Sequence, residues 1–113
     1  MTAYGIAHLR HVDPHPEVAD YIERIEATMA PYGGRFLVHG TPPDVMEGSW
    51  PGHVVVIEFP TVAIAREWWD SPAYREIAPL RSDHAMSDII LVEGVPDGYD
   101  PRTTAAAMRA GLG

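Results

Sequence analysis

The chain is 113 residues long, has no cysteine, and sets 16 acidic residues against 8 basic ones, all arginine, for a formal net charge of -8. That length supports one hydrophobic core, and the missing cysteines exclude disulfides, thiolate zinc sites, iron–sulfur clusters and a cysteine nucleophile. Arginines scattered from Arg10 to Arg109 make no basic patch for a nucleic-acid partner. At the same time 46% apolar residues, 11 prolines and 10 glycines suit neither a disordered chain nor a plain helical bundle.

Residues 3–12 alternate as a strand does, with Tyr4, Ile6, His8 and Arg10 on one face and Ala7, Leu9 and His11 on the other. Asp13 offers an N-cap oxygen and Pro14 suits a first helical position, so a helix is expected to begin there. Val18, Tyr21, Ile22, Ile25 and Met29 form its apolar stripe, and Gly33-Gly34 ends it. A second strand over residues 35–41 puts Arg35, Leu37 and His39 on one side and Phe36 and Val38 on the other. Residues 42–52, with three prolines and two glycines, read as a loop carrying Met46, Glu47 and Trp50.

The run Val54-Val55-Val56-Ile57 within the next strand, residues 53–59, is apolar at every position, so both sheet faces are expected to be covered. Thr61 and Ser71 are N-cap types, Ser71 followed by Pro72, and residues 62–83 read as two short helices meeting at Asp70-Ser71. A fourth strand spans residues 88–93, and a turn-rich tail leads to an alanine-rich stretch that can form a short helix.

The order β-α-β-β-α-β predicts an α+β fold of the ferredoxin-like type, a four-stranded antiparallel sheet with helices on one face. The second cover that the apolar strand demands is most simply another copy of the chain, which predicts a homodimeric α/β barrel. The expected organisation is a domain over residues 1–94 and a C-terminal tail over residues 95–113.

The series Gly33-Gly34-Arg35-Phe36-Leu37-Val38, Glu47-Gly48, Val56-Ile57-Glu58-Phe59-Pro60, Ala65, Trp68-Trp69, Ser71-Pro72-Ala73-Tyr74, Arg81 and Leu91-Val92-Glu93-Gly94 resembles the family called domain of unknown function 1330. That family lies within the dimeric ferredoxin-like α/β barrel superfamily. The resemblance runs from about Tyr4 to Gly94 and implies the same fold and dimer. Related barrels include cofactor-free monooxygenases, haem-dependent enzymes and lactone isomerases, so the resemblance selects no substrate.

Glu58 is the first catalytic candidate, because a carboxylate within an apolar strand needs a cation or hydrogen-bond donors beside it. Arg81 and Arg35 are its expected partners, holding an anionic substrate or positioning a proton-transfer carboxylate; the alternative is a structural ion pair between sheet and helix or between subunits. His39, with both protonation states accessible near neutral pH, is expected to assist. Tyr74, Trp50 and Trp68 are the aromatic candidates for shaping a substrate cavity, Trp50 as a lid over its mouth or as an arm on the partner subunit.

No metal site is expected, since the six histidines form no His-Glu-x-x-His motif, His11 and His15 flank a helix start and read as surface residues, and no cofactor motif is present. Ser71 precedes a proline outside any nucleophile elbow and reads as an N-cap. No stretch approaches the roughly 18 apolar residues of a membrane span, and residues 1–10 carry no signal-peptide pattern, so a cytoplasmic protein without membrane contact is expected.

These residues lead to a small-molecule-binding dimer performing cofactor-free acid/base chemistry, isomerase-, lyase- or oxygenase-like, on a small anionic or aromatic metabolite. The alternative is a non-catalytic binding or structural dimer, and a third reading is cofactor-free oxygenation of an aromatic polyketide.

Overall fold

The computed structural model describes residues 1–112. Its elements are β1 (Ala3–Val12), α1 (Pro16–Met29) closed by a 3-10 turn (Ala30–Tyr32), β2 (Arg35–His39), β3 (His53–Phe59), α2 (Val62–Asp70), α3 (Pro72–Ser82), β4 (Ala85–Glu93) and α4 (Pro101–Leu112). The four strands make one antiparallel sheet in the order β2-β3-β1-β4, the split βαβ arrangement of a ferredoxin-like α+β fold.

Helices α1 to α3 share one face of the sheet. There Tyr21, Ile25 and Met29 of α1, Ala65 and Trp68 of α2, and Tyr74, Ile77 and Ala78 of α3 meet Val55, Ile57 and Phe59 of β3 in a single buried cluster. Gly33-Gly34 is needed where α1 hands over to β2. Gly33 takes the left-handed φ of 68° that caps the turn, and a Cβ on Gly34 would stand 2.6 Å from the Phe59 ring.

The helix begins later than the Asp13-Pro14 signal predicts. Pro16 disfavours helical backbone at the residue before it, so His15 stays extended (φ -108°, ψ 139°) and becomes the N-cap, its ring accepting from the Glu17 N–H. A second departure reassigns β2. Phe36 pairs with Ile57 and Val38 with Val56, so the register shifts across Leu37. This bulge puts His39, opposite Val55, on the helix-covered face with Phe36, where the two rings stack at 4.3 Å.

The other face carries Tyr4, Ile6, His8, Val54, Val56, Glu58, Ile90 and Val92, with no helix across it. Ile90 and Val92 are exposed there. The α4 helix buries none of its residues, and both Met108 and Leu112 are exposed.

Candidate functional site

Between the sheet and α1 and α3 lies a cavity of about 270 Å³. It exists because the inward face of β1 presents Gly5 and Ala7 where larger side chains would fill the layer, leaving room under the rings of Tyr21, Trp68, Trp69 and Tyr74. Most of the rest of its lining is apolar, from Leu9, Val18, Ile25, Phe36, Val55, Ile57, Ile89 and Leu91. An apolar void of roughly 150 Å³ already accepts benzene, so this one suits a substituted ring.

Its polar groups are few and placed together. The Tyr21 and Tyr74 hydroxyls are hydrogen-bonded at 2.9 Å, both side chains being buried. Burial, reinforced by Tyr74, pushes the Tyr21 hydroxyl well above the ordinary tyrosine range, so Tyr21 keeps its proton. Arg81, in the last turn of α3, sets its guanidinium 5.6 Å from the centre of the Tyr21 ring.

The Arg81 Nη1 donates to Ser87 Oγ on β4 at 2.9 Å, while its Nε is buried without a hydrogen-bond partner. Burial works against this cation, but the neighbouring Tyr74 and Tyr21 outweigh it, and the arginine stays charged. A buried charged donor left unmatched is costly, which marks the spot where a ligand's acceptor atom would be stabilised. His39 and His53 line the same cavity from exposed positions and so stand at its mouth.

Local sequence seats these groups. Ser71 is the N-cap of α3: its hydroxyl accepts from the Tyr74 N–H at 3.3 Å and donates to the Trp68 carbonyl at 2.7 Å, fixing the α2–α3 corner from which both rings point inward. The Trp68 indole N–H reaches Thr28 Oγ1 at 3.0 Å, tying α2 to α1.

Of the residues singled out in the sequence, the cavity gathers Arg81, His39, Tyr74 and Trp68. It does not gather Glu58, Arg35 or Trp50. Glu58 pairs with Tyr4 and Arg35 across neighbouring strands and so faces the uncovered side of the sheet, where Arg35 Nε donates to it at 3.0 Å. The expected Glu58–Arg81 pair is therefore not made, because strand alternation sends β3 residue 58 away from the helices that carry Arg81.

Trp50 lies on that same uncovered side, stacked on His8 at 3.9 Å, while His8 Nε2 bonds the Pro51 carbonyl at 2.7 Å. His8 faces outward opposite Val54, whereas His39 and His53 line the cavity. Tyr21 and Trp69, aromatic residues of the kind that line a pocket for a flat ligand, belong to the cavity too, and His53 joins them although the sequence did not single it out for that role. A hydroxyl on the inward stripe of α1 was the available signal for Tyr21, since a buried tyrosine oxygen needs a partner.

The match to known families is decided by the model of a domain of unknown function (DUF1330), which aligns with residues 2–95. The chain belongs to the DUF1330 family. The α4 helix lies beyond the span that defines DUF1330. No curated protein matches the chain.

Among solved structures, this DUF1330 protein is similar to RPA0582, a protein of unknown function from Rhodopseudomonas palustris, with a TM-score of 0.63 at 20% identity over 84% of this chain and 83% of that one. It is also similar to a dimeric ferredoxin-like protein of unknown function from Jannaschia sp. CCS1, with a TM-score of 0.60 at 12% identity over 83% of this chain and 100% of that one. A third is SnoaB, a cofactor-independent oxygenase from Streptomyces nogalater, with a TM-score of 0.57 at 15% identity over 88% of this chain and 97% of that one. At these identities the likeness establishes the ferredoxin-like fold. Among the described residues no helix is long and apolar enough to cross a membrane.

Proposed function

We propose that this protein binds a small, mostly apolar or aromatic molecule carrying one acidic or anionic group, and performs cofactor-independent acid/base chemistry on it. The observation that carries the reading is Arg81, a charged side chain whose Nε has no hydrogen-bond partner, among the residues lining a mostly apolar cavity. An anionic oxygen placed against it would gain a charge-assisted hydrogen bond in a site of low dielectric. The Tyr21–Tyr74 pair would donate one hydrogen bond to the same oxygen, and His39 at the mouth is the proton acceptor. The cofactor-independent oxygenase of similar fold supports chemistry without a prosthetic group.

The first experiment is native mass spectrometry of untagged protein, followed by NMR titration with benzoate and 2-naphthoate. A co-purified small molecule, or shifts centred on Arg81, Tyr74 and Leu91, is the expected result. Shifts confined to the outer sheet face would refute the cavity as the binding site. Glu58 enters this reading as half of an ion pair instead of the catalyst, so Glu58→Gln should leave ligand affinity unchanged; lost turnover with binding and assembly intact would restore it to the catalytic set.

The working unit in this reading is a homodimer in which two uncovered sheet faces stack, as the Jannaschia protein's description as dimeric supports. Ile6, Val54, Val56, Ile90 and Val92 supply an apolar centre, and Glu58–Arg35 and Trp50 a polar and aromatic margin. Ile90→Asp places a charge at that centre, already exposed in the single chain, and should yield a folded monomer in light scattering with an unchanged circular dichroism spectrum. A dimer that survives this substitution would rule out face-to-face stacking.

A further inference from the structure

We propose that His15, Glu17 and His84 form a binding site for one divalent transition-metal ion of the zinc class, at the end of the molecule where β1 leads into α1 and α3 leads into β4. The three side chains come from segments 67 residues apart, and their ligand atoms all lie within 4.8 Å of one another. His84 Nε2 stands 2.7 Å from Glu17 Oε1, and His15 Nδ1 stands 3.9 Å from the same oxygen. Donors bound tetrahedrally at about 2.0–2.1 Å from zinc are about 3.3 Å apart, midway between those two distances. Shifts of well under an ångström at the carboxylate would equalise them.

The frame holding the three groups is built from backbone. The Asp13 N–H donates to the His84 carbonyl at 2.8 Å, and the His84 N–H donates to the Arg81 carbonyl at 3.0 Å, joining the exit of β1 to the α3–β4 connection. The Val18 N–H donates to the His15 carbonyl at 3.0 Å, closing the first turn of α1. Within this frame the His15 and His84 rings stack at 3.7 Å and 8° with one carboxylate beside both. A surface ion pair needs one imidazole; here two converge on a single carboxylate, with their donor atoms on its side.

Parallel rings aim their lone pairs side by side, so binding requires one imidazole to turn about its Cβ–Cγ bond. His15 is the ring free to do so, because its Nδ1 is held only by the Glu17 N–H at 3.1 Å, whereas His84 is the more enclosed of the two. The His84 Nε2–Glu17 Oε1 hydrogen bond would give way to two bonds to the ion. Two imidazoles and one carboxylate select zinc, nickel, cobalt or copper over magnesium and calcium. His15 and Glu17 are nearly half exposed, which leaves the remaining coordination positions to water.

Each of the three segments also supplies the cavity, through Val12, Val18 and Arg81, so a bound ion would clamp that end of it. The proposal stands apart from the assignment of the cavity's ligand, which involves none of these three side chains.

The test is titration of the full-length, chelator-treated protein with zinc and separately with cobalt, followed by calorimetry, thermal melting and the visible spectrum of cobalt. One ion per chain in the micromolar range, a raised Tm and a four-coordinate cobalt spectrum are expected. His15→Ala and Glu17→Gln should each weaken zinc by at least about tenfold, and Glu17→Gln retains an oxygen to accept from His84, so its metal-free melting should stay close to that of the wild type. No saturable uptake, or equal uptake by wild type and both variants, would mean an adventitious ion only and would overturn the site.

Discussion

Replacing Arg81 by methionine is expected to separate ligand binding from stability. The bound anion would lose a charge-assisted hydrogen bond, about 1.5–3 kcal/mol, which is roughly 10- to 150-fold in Kd for benzoate or a related aromatic carboxylate. The unliganded protein should respond differently. Methionine fills much of the same volume and removes a buried donor that has no partner, at the loss of the Arg81–Ser87 bond, so the free protein's Tm should hold or rise. If Arg81 were a structural strut between α3 and β4, the variant would instead melt lower and bind the probe as before. Denaturation curves with and without benzoate decide between these outcomes.

Trp68→Ala carries the largest expected effect on stability. The ring is 3% exposed, packs at 4.3 Å from Tyr74 and 5.2 Å from Phe59, and its N–H bonds Thr28. Its removal should cost about 3–5 kcal/mol, lowering Tm by on the order of 15 °C or more in a domain of this size. Trp68→Phe keeps an aromatic ring and loses the hydrogen bond, so a fall of about 1 kcal/mol is expected. A small effect from alanine would mean that the cavity tolerates enlargement and that the corner between α2 and α3 is held from elsewhere, with Ser71 as the next group to remove.

The uncovered sheet face and the cavity divide the chemistry of the chain. Glu58, Arg35, His8 and Trp50 belong to the first; Arg81, Tyr21, Tyr74, His39 and His53 belong to the second. Substitutions in the first group should therefore register in assembly, and those in the second in ligand binding. Ile90→Asp and Arg81→Met probe the two independently because they lie on opposite faces of the sheet.

The sequence by itself determined the element order, and with it the sheet. Loose alternation in β1, the unbroken apolar run in β3, Ser71-Pro72 at the α2–α3 corner and the glycine pair before β2 are each local signals whose physical cause lies within a few residues. Residue chemistry marked Arg81, His39, Tyr74 and Trp68, which the cavity gathers. Periodicity also carried the information that Glu58 shares a face with Val54 and Val56 and not with Ile57, and of the two cations expected beside it, Arg81 and Arg35, it is Arg35, directly across the strand pair, that makes the bond.

Only the tertiary structure decided what depends on register and on distant segments. The bulge at Leu37 moves His39 to the helix side, and nothing in Arg35–His39 announces it, because a bulge is settled by pairing with β3. The Tyr21–Tyr74 bond joins residues 53 apart, and His84 meets Glu17 across 67. Spacing rules for ligands and catalytic pairs describe neighbours on one helix or strand, so they are blind to groups that meet because two connections are hydrogen-bonded to each other. The cavity too is a property of packing: Gly5 and Ala7 become the floor of a site once four aromatic rings close over them.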